Sequence, residues 1–155
     1  MSEFRTIVYP TDFSELSLHA LSYALYLARL SGANFHCIHV VDDSYQYWMT
    51  VDAGAIPVGP SLEELLASAE KHLDSFIAEN VPPEVTLTRR VLRGRAFLEI
   101  IRYARGVSAD LIVIGTHGRS ALKQVLLGSV ADKIVHKAHC PVLTVRHPSH
   151  AFEMP

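Results

Sequence analysis

At 155 residues the chain is the size of one ordinary domain and too short for two independent hydrophobic cores. Its 49% hydrophobic and 19% charged residues exclude wholesale disorder, and a core of this size needs no disulfide or metal staple. With 14 Lys and Arg against 16 Asp and Glu, the net charge of −2 advertises neither nucleic acid, an anionic membrane nor a basic partner.

Two cysteines, Cys37 and Cys140, allow one optional bridge and no disulfide framework. The opening residues lack the apolar run of a secretory signal. The longest unbroken apolar stretches, such as Leu111-Ile112-Val113-Ile114, are far short of a membrane span. A soluble, cytoplasmic protein with neither membrane nor nucleic acid as partner is expected.

In chain order, Ile7-Val8-Tyr9 is a short apolar run stopped by Pro10 and predicts a buried strand. Ser14 is placed to cap a helix over 15–30 that closes at Gly32. The apolar residues of that helix cover more than a narrow stripe, so contacts on more than one side are expected. A second strand follows over 34–41. Residues 42–60 then hold two prolines, two glycines and three Tyr or Trp residues without periodicity, the mark of a functional or mobile loop.

Ser61 and Glu64 form a capping box for a helix that aligns Leu62, Leu65, Leu66, Ala69, Leu73, Phe76 and Ile77 on one face. Pro82-Pro83 ends it. A third strand is expected over 85–92, followed by a helix through Ala96, Phe97, Ile100, Ile101 and Ala104. Leu111 to Ile114 reads as a fourth strand stopping at Gly115, with a last helix over 129–137 and a fifth strand over 141–145.

Strict β-α alternation with fully apolar strands predicts an α/β fold. The expected form is a single-domain, doubly wound, open five-stranded parallel sheet, Rossmann-like, with helices on both faces and strand order 3-2-1-4-5. The domain is expected over 1–147, followed by a short C-terminal tail, 148–155. Ligands of such sheets sit beyond the strand C-termini, where strand order reverses.

Two segments fall there. After the fourth strand come Gly115, Gly118 and then Gly128-Ser129, the last pair opening a helix. Glycines allow close backbone approach, and a helix N-terminus favours an anion, so the segment suits a phosphate cradle. It equally suits a strand stop followed by an ordinary helix cap. Neither a Walker motif nor Gly-x-Gly-x-x-Gly is present. After the first strand, Pro10-Thr11-Asp12-Phe13-Ser14 puts a carboxylate at the sheet edge, where Asp12 could accept a ribose hydroxyl or simply build a turn.

Together with His39-Val40-Val41-Asp42, these segments resemble, in order and spacing, the universal stress protein family, and the resemblance runs from about Thr6 to Arg146. The glycine motif is similar to that of the ATP-binding branch. The resemblance implies that Asp12 contacts the adenosine moiety, that the Val40 backbone meets the adenine, and that Gly115, Gly118, Gly128 and Ser129 surround ribose and phosphates. Val130 adds a backbone N–H at the helix start. His117 and Arg119 occupy variable positions of the phosphate loop, where Arg119 could neutralise charge. The resemblance also implies a homodimer pairing through the last strand, an apolar edge that needs covering, for which burial by the chain's own C-terminal tail is the competing solution.

The expected function is therefore ATP binding by a dimeric stress-response regulator or sensor, acting with a protein partner the sequence does not identify. Two alternatives stand beside it: a slow ATP hydrolase or phosphoryl-transfer enzyme, with His117 as the local acid–base candidate, and a nucleotide-free dimeric adaptor. Nine histidines invite a metal site, yet Cys37 and His39 share a strand face from which His36 points away. A magnesium ion carried on the ATP phosphates is the favoured metal.

Overall fold

The computed structural model describes residues 3–42, 59–116 and 127–146. Five strands and four helices alternate along the chain: β1 (Thr6–Pro10), α1 (Glu15–Ser31), β2 (Asn34–Val41), α2 (Leu62–Asn80), β3 (Leu87–Arg93), α3 (Ala96–Gly106), β4 (Leu111–Gly115), α4 (Ser129–Lys137) and β5 (Val142–Val145). The strands form one parallel sheet in the order β3-β2-β1-β4-β5. That is the α/β, doubly wound order expected from the sequence.

Residue alternation on the strands divides the core into two layers. Ile7 and Tyr9, Phe35 and Cys37, and Leu111 and Val113 face α1 and α2. Val8, Ile38, Ile112 and Ile114 face α3 and α4. Strand β1 lies at the centre, with Ile7, Val8 and Tyr9 all fully buried. Burial among these neighbours pushes the Cys37 thiol up to about 12, so it is an inert core residue.

Local chemistry sets the ends of the elements. Ser14 caps α1 by accepting from the Ser17 N–H, and Gly32 closes it in the left-handed region at φ +66°. The capping box of Ser61 and Glu64 opens α2. Strand β3 begins at Leu87, two residues later than the alternation predicts, because the Val85 N–H turns back to the Pro82 carbonyl at 3.0 Å. Strand β5 begins at Val142, and the Pro141 carbonyl accepts from Ile112 at 3.0 Å.

Helix α1 departs from expectation. It buries one face, through Ser17, Ala20, Leu21, Ala24 and Ala28, while Tyr26 and Leu30 on the opposite side are 65% and 71% exposed. The short alanines let that single face sit close to the sheet. The sequence-level breadth of its apolar set therefore does not mean burial all round.

On the other layer, His36 accepts from or donates to the Tyr103 hydroxyl at 2.9 Å. Burial first, and then the nearby Arg90 charge, hold its pKa below the ordinary imidazole value. The folded state thus prefers neutral His36. Its stabilising contribution is present above the unfolded pKa of about 6.5 and is lost as pH falls through the lower folded value. Thermal melts at pH 7.5 and 5.5 should show a smaller acid-induced loss of Tm in His36→Gln than in the parent. Equal losses would remove His36 from the acid response.

Candidate functional site

A cavity of about 410 Å³ opens above the C-terminal ends of β1, β2 and β4. It lies where the chain, having built β2 and β3 on one side of β1, crosses to β4 on the other. The connections leaving β1 and β4 run to helices on opposite faces of the sheet, which leaves a crevice. The volume is that of a small-molecule site.

The β1-to-α1 turn forms one wall. The Asp12 carboxylate accepts from the Ser14 N–H through Oδ1 at 3.0 Å, an Asx turn that leads into the α1 cap. Thr11 Oγ1 accepts from the Phe13 N–H at 3.0 Å and from the Ser17 hydroxyl at 2.6 Å. The Tyr9 hydroxyl donates to the Ser17 carbonyl. Phe13 sits in the left-handed region at φ +63°, held there by ring contacts to His39, His72 and Phe76. Asp12 thus rides on a turn whose backbone groups are bonded from several directions.

The opposite wall is β4 and the start of α4. Thr116, almost fully buried, donates its N–H to the Val145 carbonyl and accepts at its carbonyl from Gly128, so it ties the end of β4 to the entry of α4. Gly128 is the N-cap of α4, and among the described residues no side chain caps that helix. The first-turn N–H groups of Ser129, Val130 and Ala131 therefore meet the cavity without a competing side-chain acceptor. Val40, Ala96, Ile100 and Ile114 supply the apolar remainder.

Asp12, Val40, Gly115, Gly128, Ser129 and Val130 of the expected set all line this one cavity. His117, Gly118 and Arg119 lie outside the described residues, as does most of the 42–60 loop. Among the described wall residues Asp12 is the only acid, and none is Lys or Arg. The sequence reading missed Thr11, Ser17, His39 and Thr116. Three of these are small hydroxyl residues with no distinctive spacing. His39 drew notice as a metal-ligand candidate and as part of the motif ahead of Val40, not as a site residue. His36, Cys37 and His39 lie on β2, whereas His136 is in α4 and His139 and Cys140 lie between α4 and β5; β2 and β5 are separated by β1 and β4.

Gly115 carries a packing constraint beside the role its motif implies. A Cβ there would lie 3.1 Å from Leu16 Cγ and 3.3 Å from the Leu16 carbonyl oxygen, in the first turn of α1. Its missing side chain makes room for a helix; only its backbone reaches the cavity. Gly115→Ala should therefore overpack this contact at a cost of about 1–3 kcal/mol, read as a fall in Tm of several degrees without nucleotide. An unchanged Tm would return Gly115 to a role in ligand approach alone.

Comparison with known proteins agrees with the fold and extends it. The family model described as the universal stress protein family matches residues 3–146. Universal stress protein MJ0531 of Methanocaldococcus jannaschii is 35% identical over 145 residues, covering 94% of this chain and 84% of its own length. The solved structure of MJ0577, from the same organism, superposes with a TM-score of 0.80 at 26% identity, covering 96% of this chain and 99% of that one. The universal stress protein from Archaeoglobus fulgidus, solved in complex with dAMP, shares the fold at a TM-score of 0.59 and 23% identity, over 92% of this chain and 98% of its own. With nearly its whole length accounted for in this way, the chain belongs to the universal stress protein family.

Proposed function

We propose that the cavity binds an adenine nucleotide, ATP with magnesium on its phosphates, and that the chain acts as a dimeric cytoplasmic regulator whose domain spans 1–147. The observation that carries this reading is the convergence of Asp12, Val40, Gly128, Ser129 and Val130 on one cavity. An apolar slot lies beside a carboxylate, and an uncapped helix N-terminus closes the far side. A base, a ribose and a phosphate need those three environments in that order.

Each group has a definable task. Backbone bonds from Asn34 to Arg5 and from Thr11 to Ile38 show that even-numbered residues of β2 turn their N–H and C=O toward β1. Val40 is the next such residue, and β1 ends beside it. Its N–H and C=O form a donor–acceptor pair that matches adenine N1 and N6 and opposes the reversed pattern of guanine. Asp12 keeps Oδ1 on the Ser14 N–H and offers Oδ2 to a ribose hydroxyl. The first-turn N–H groups of α4 take a phosphate oxygen. His117, Gly118 and Arg119 complete the phosphate side of this reading, and Gly115 contributes its backbone. The preference for ATP over shorter nucleotides rests on the length of the glycine motif.

The dAMP complex of the Archaeoglobus fulgidus relative supports adenine as the base that this fold can hold. Binding is favoured over turnover because Asp12 is the one carboxylate in the described wall and the sequence has no P-loop lysine. No helix among the described residues is long and apolar enough to cross a membrane. Homodimerisation through β5 is supported by its position at the sheet edge, paired to β4 on one side only among the described residues.

Native mass spectrometry with ATP and magnesium should show a dimer carrying one nucleotide per chain. Asp12→Asn keeps the Oδ1 acceptor of the turn but loses the charge, and should weaken ATP about tenfold. A parent protein that stays empty at millimolar ATP would overturn the reading in favour of a nucleotide-free adaptor.

A further inference from the structure

The β1–β2 ladder ends at Thr11, and the group bonded to the carbonyl where it ends is His39. Up to Thr11 the pairing is regular: Pro10 is in register with Ile38, and the Thr11 N–H donates to the Ile38 carbonyl at 2.8 Å. In a parallel ladder the next bond would run from the Val40 N–H to the Thr11 carbonyl. Among the described residues no such backbone bond exists. The Thr11 carbonyl is instead bonded to His39 Nδ1 at 2.7 Å. A carbonyl oxygen only accepts, so Nδ1 carries the proton and the imidazole is the donor.

The ring is held for this task. Phe13 stacks on it with centroids 4.3 Å apart and planes inclined at 29°, and Phe13 is itself braced by His72 and Phe76 of α2. His39 and Phe13 thereby fix the turn that carries Asp12 against the strand that carries Val40. One side-chain bond links two of the binding elements.

We propose that His39 is a positioning residue for base recognition: its Nδ1–H takes the Thr11 carbonyl in place of the Val40 N–H, and so keeps the Val40 N–H available to the adenine. This rests on the nucleotide reading of the cavity. Without the imidazole donor, the buried Thr11 carbonyl is left unsatisfied and captures the Val40 N–H, extending the ladder by a rung. The base then loses its donor while the sheet gains a bond.

Two variants separate the ring from its donor. His39→Phe keeps a stacking ring and removes the N–H; His39→Asn places an amide donor at the position of Nδ1 and removes the ring. Hydrogen exchange of the Val40 amide, followed by NMR in nucleotide-free protein, should be fast in the parent and in His39→Asn and slowed in His39→Phe. ATP affinity should fall about tenfold in His39→Phe, with the ATP-over-GTP preference reduced, and should be largely restored in His39→Asn. If His39→Phe does not fold, His39→Met, which carries no side-chain N–H, replaces it.

Equal Val40 exchange in the parent and in the folded donor-less variant would overturn the proposal, as would unchanged affinity and base preference. A parent that binds no ATP but shows the predicted exchange difference would refute the nucleotide reading and leave the ladder argument intact. The two failures are thus distinguishable.

Discussion

Parallel strands that end together at one edge of a sheet leave their last N–H and C=O groups without ladder partners, and a protein must satisfy them or put them to use. That constraint is sharpest beside β1, because its neighbours β2 and β4 lead to helices on opposite faces. The chain settles most of these groups internally. Thr11 and Thr116 each donate one further rung beyond the strands, and the Thr116 carbonyl meets Gly128. Among the described residues, the backbone groups of Val40 and of the first turn of α4 gain no such partner, and both stretches line the cavity.

The same constraint explains why the cavity wall is polar in so few places. Buried hydroxyls of Tyr9, Thr11 and Ser17 bond one another and the turn, so they stiffen the wall without presenting charge. Burial pushes the Tyr9 phenol well above its ordinary value, which fixes it as a proton donor. Recognition by a small number of oriented groups on an apolar surface is the usual form of a nucleotide site. A rigid back wall matters because a displaced donor costs as much as a missing one.

The fold was largely legible in the sequence because its signals are local. Apolar runs with Pro and Gly stops mark the strands, and the spacing of Ser61 and Glu64 marks a helix start that the structure reproduces. Helix α4 was legible to its ends, since Gly128 and the 3.6-residue period agree. The start of β3 was not, because a turn bond from Val85 to Pro82 overrides the alternation. The outer face of α1 was misjudged because apolar residues there carry no mark of which side the sheet will take.

Half of the site was legible for the same reason and half was not. Asp12, Val40, Gly128, Ser129 and Val130 sit at strand and helix termini that a pattern can locate. The role of Gly115 depends on how closely α1 approaches β4, a tertiary distance that no spacing encodes. His39 sits among apolar strand residues and reads as a metal-ligand candidate or part of a motif; only its bond to the Thr11 carbonyl, just past the end of β1, gives it a purpose. The most direct test of the account is a titration of ATP and magnesium into isotope-labelled protein, following the backbone amides of Val40, Val130 and Ala131. The account predicts that all three shift together and saturate at one nucleotide per chain. Amides that stay still at millimolar ATP, or shifts confined to residues away from the cavity, would contradict it.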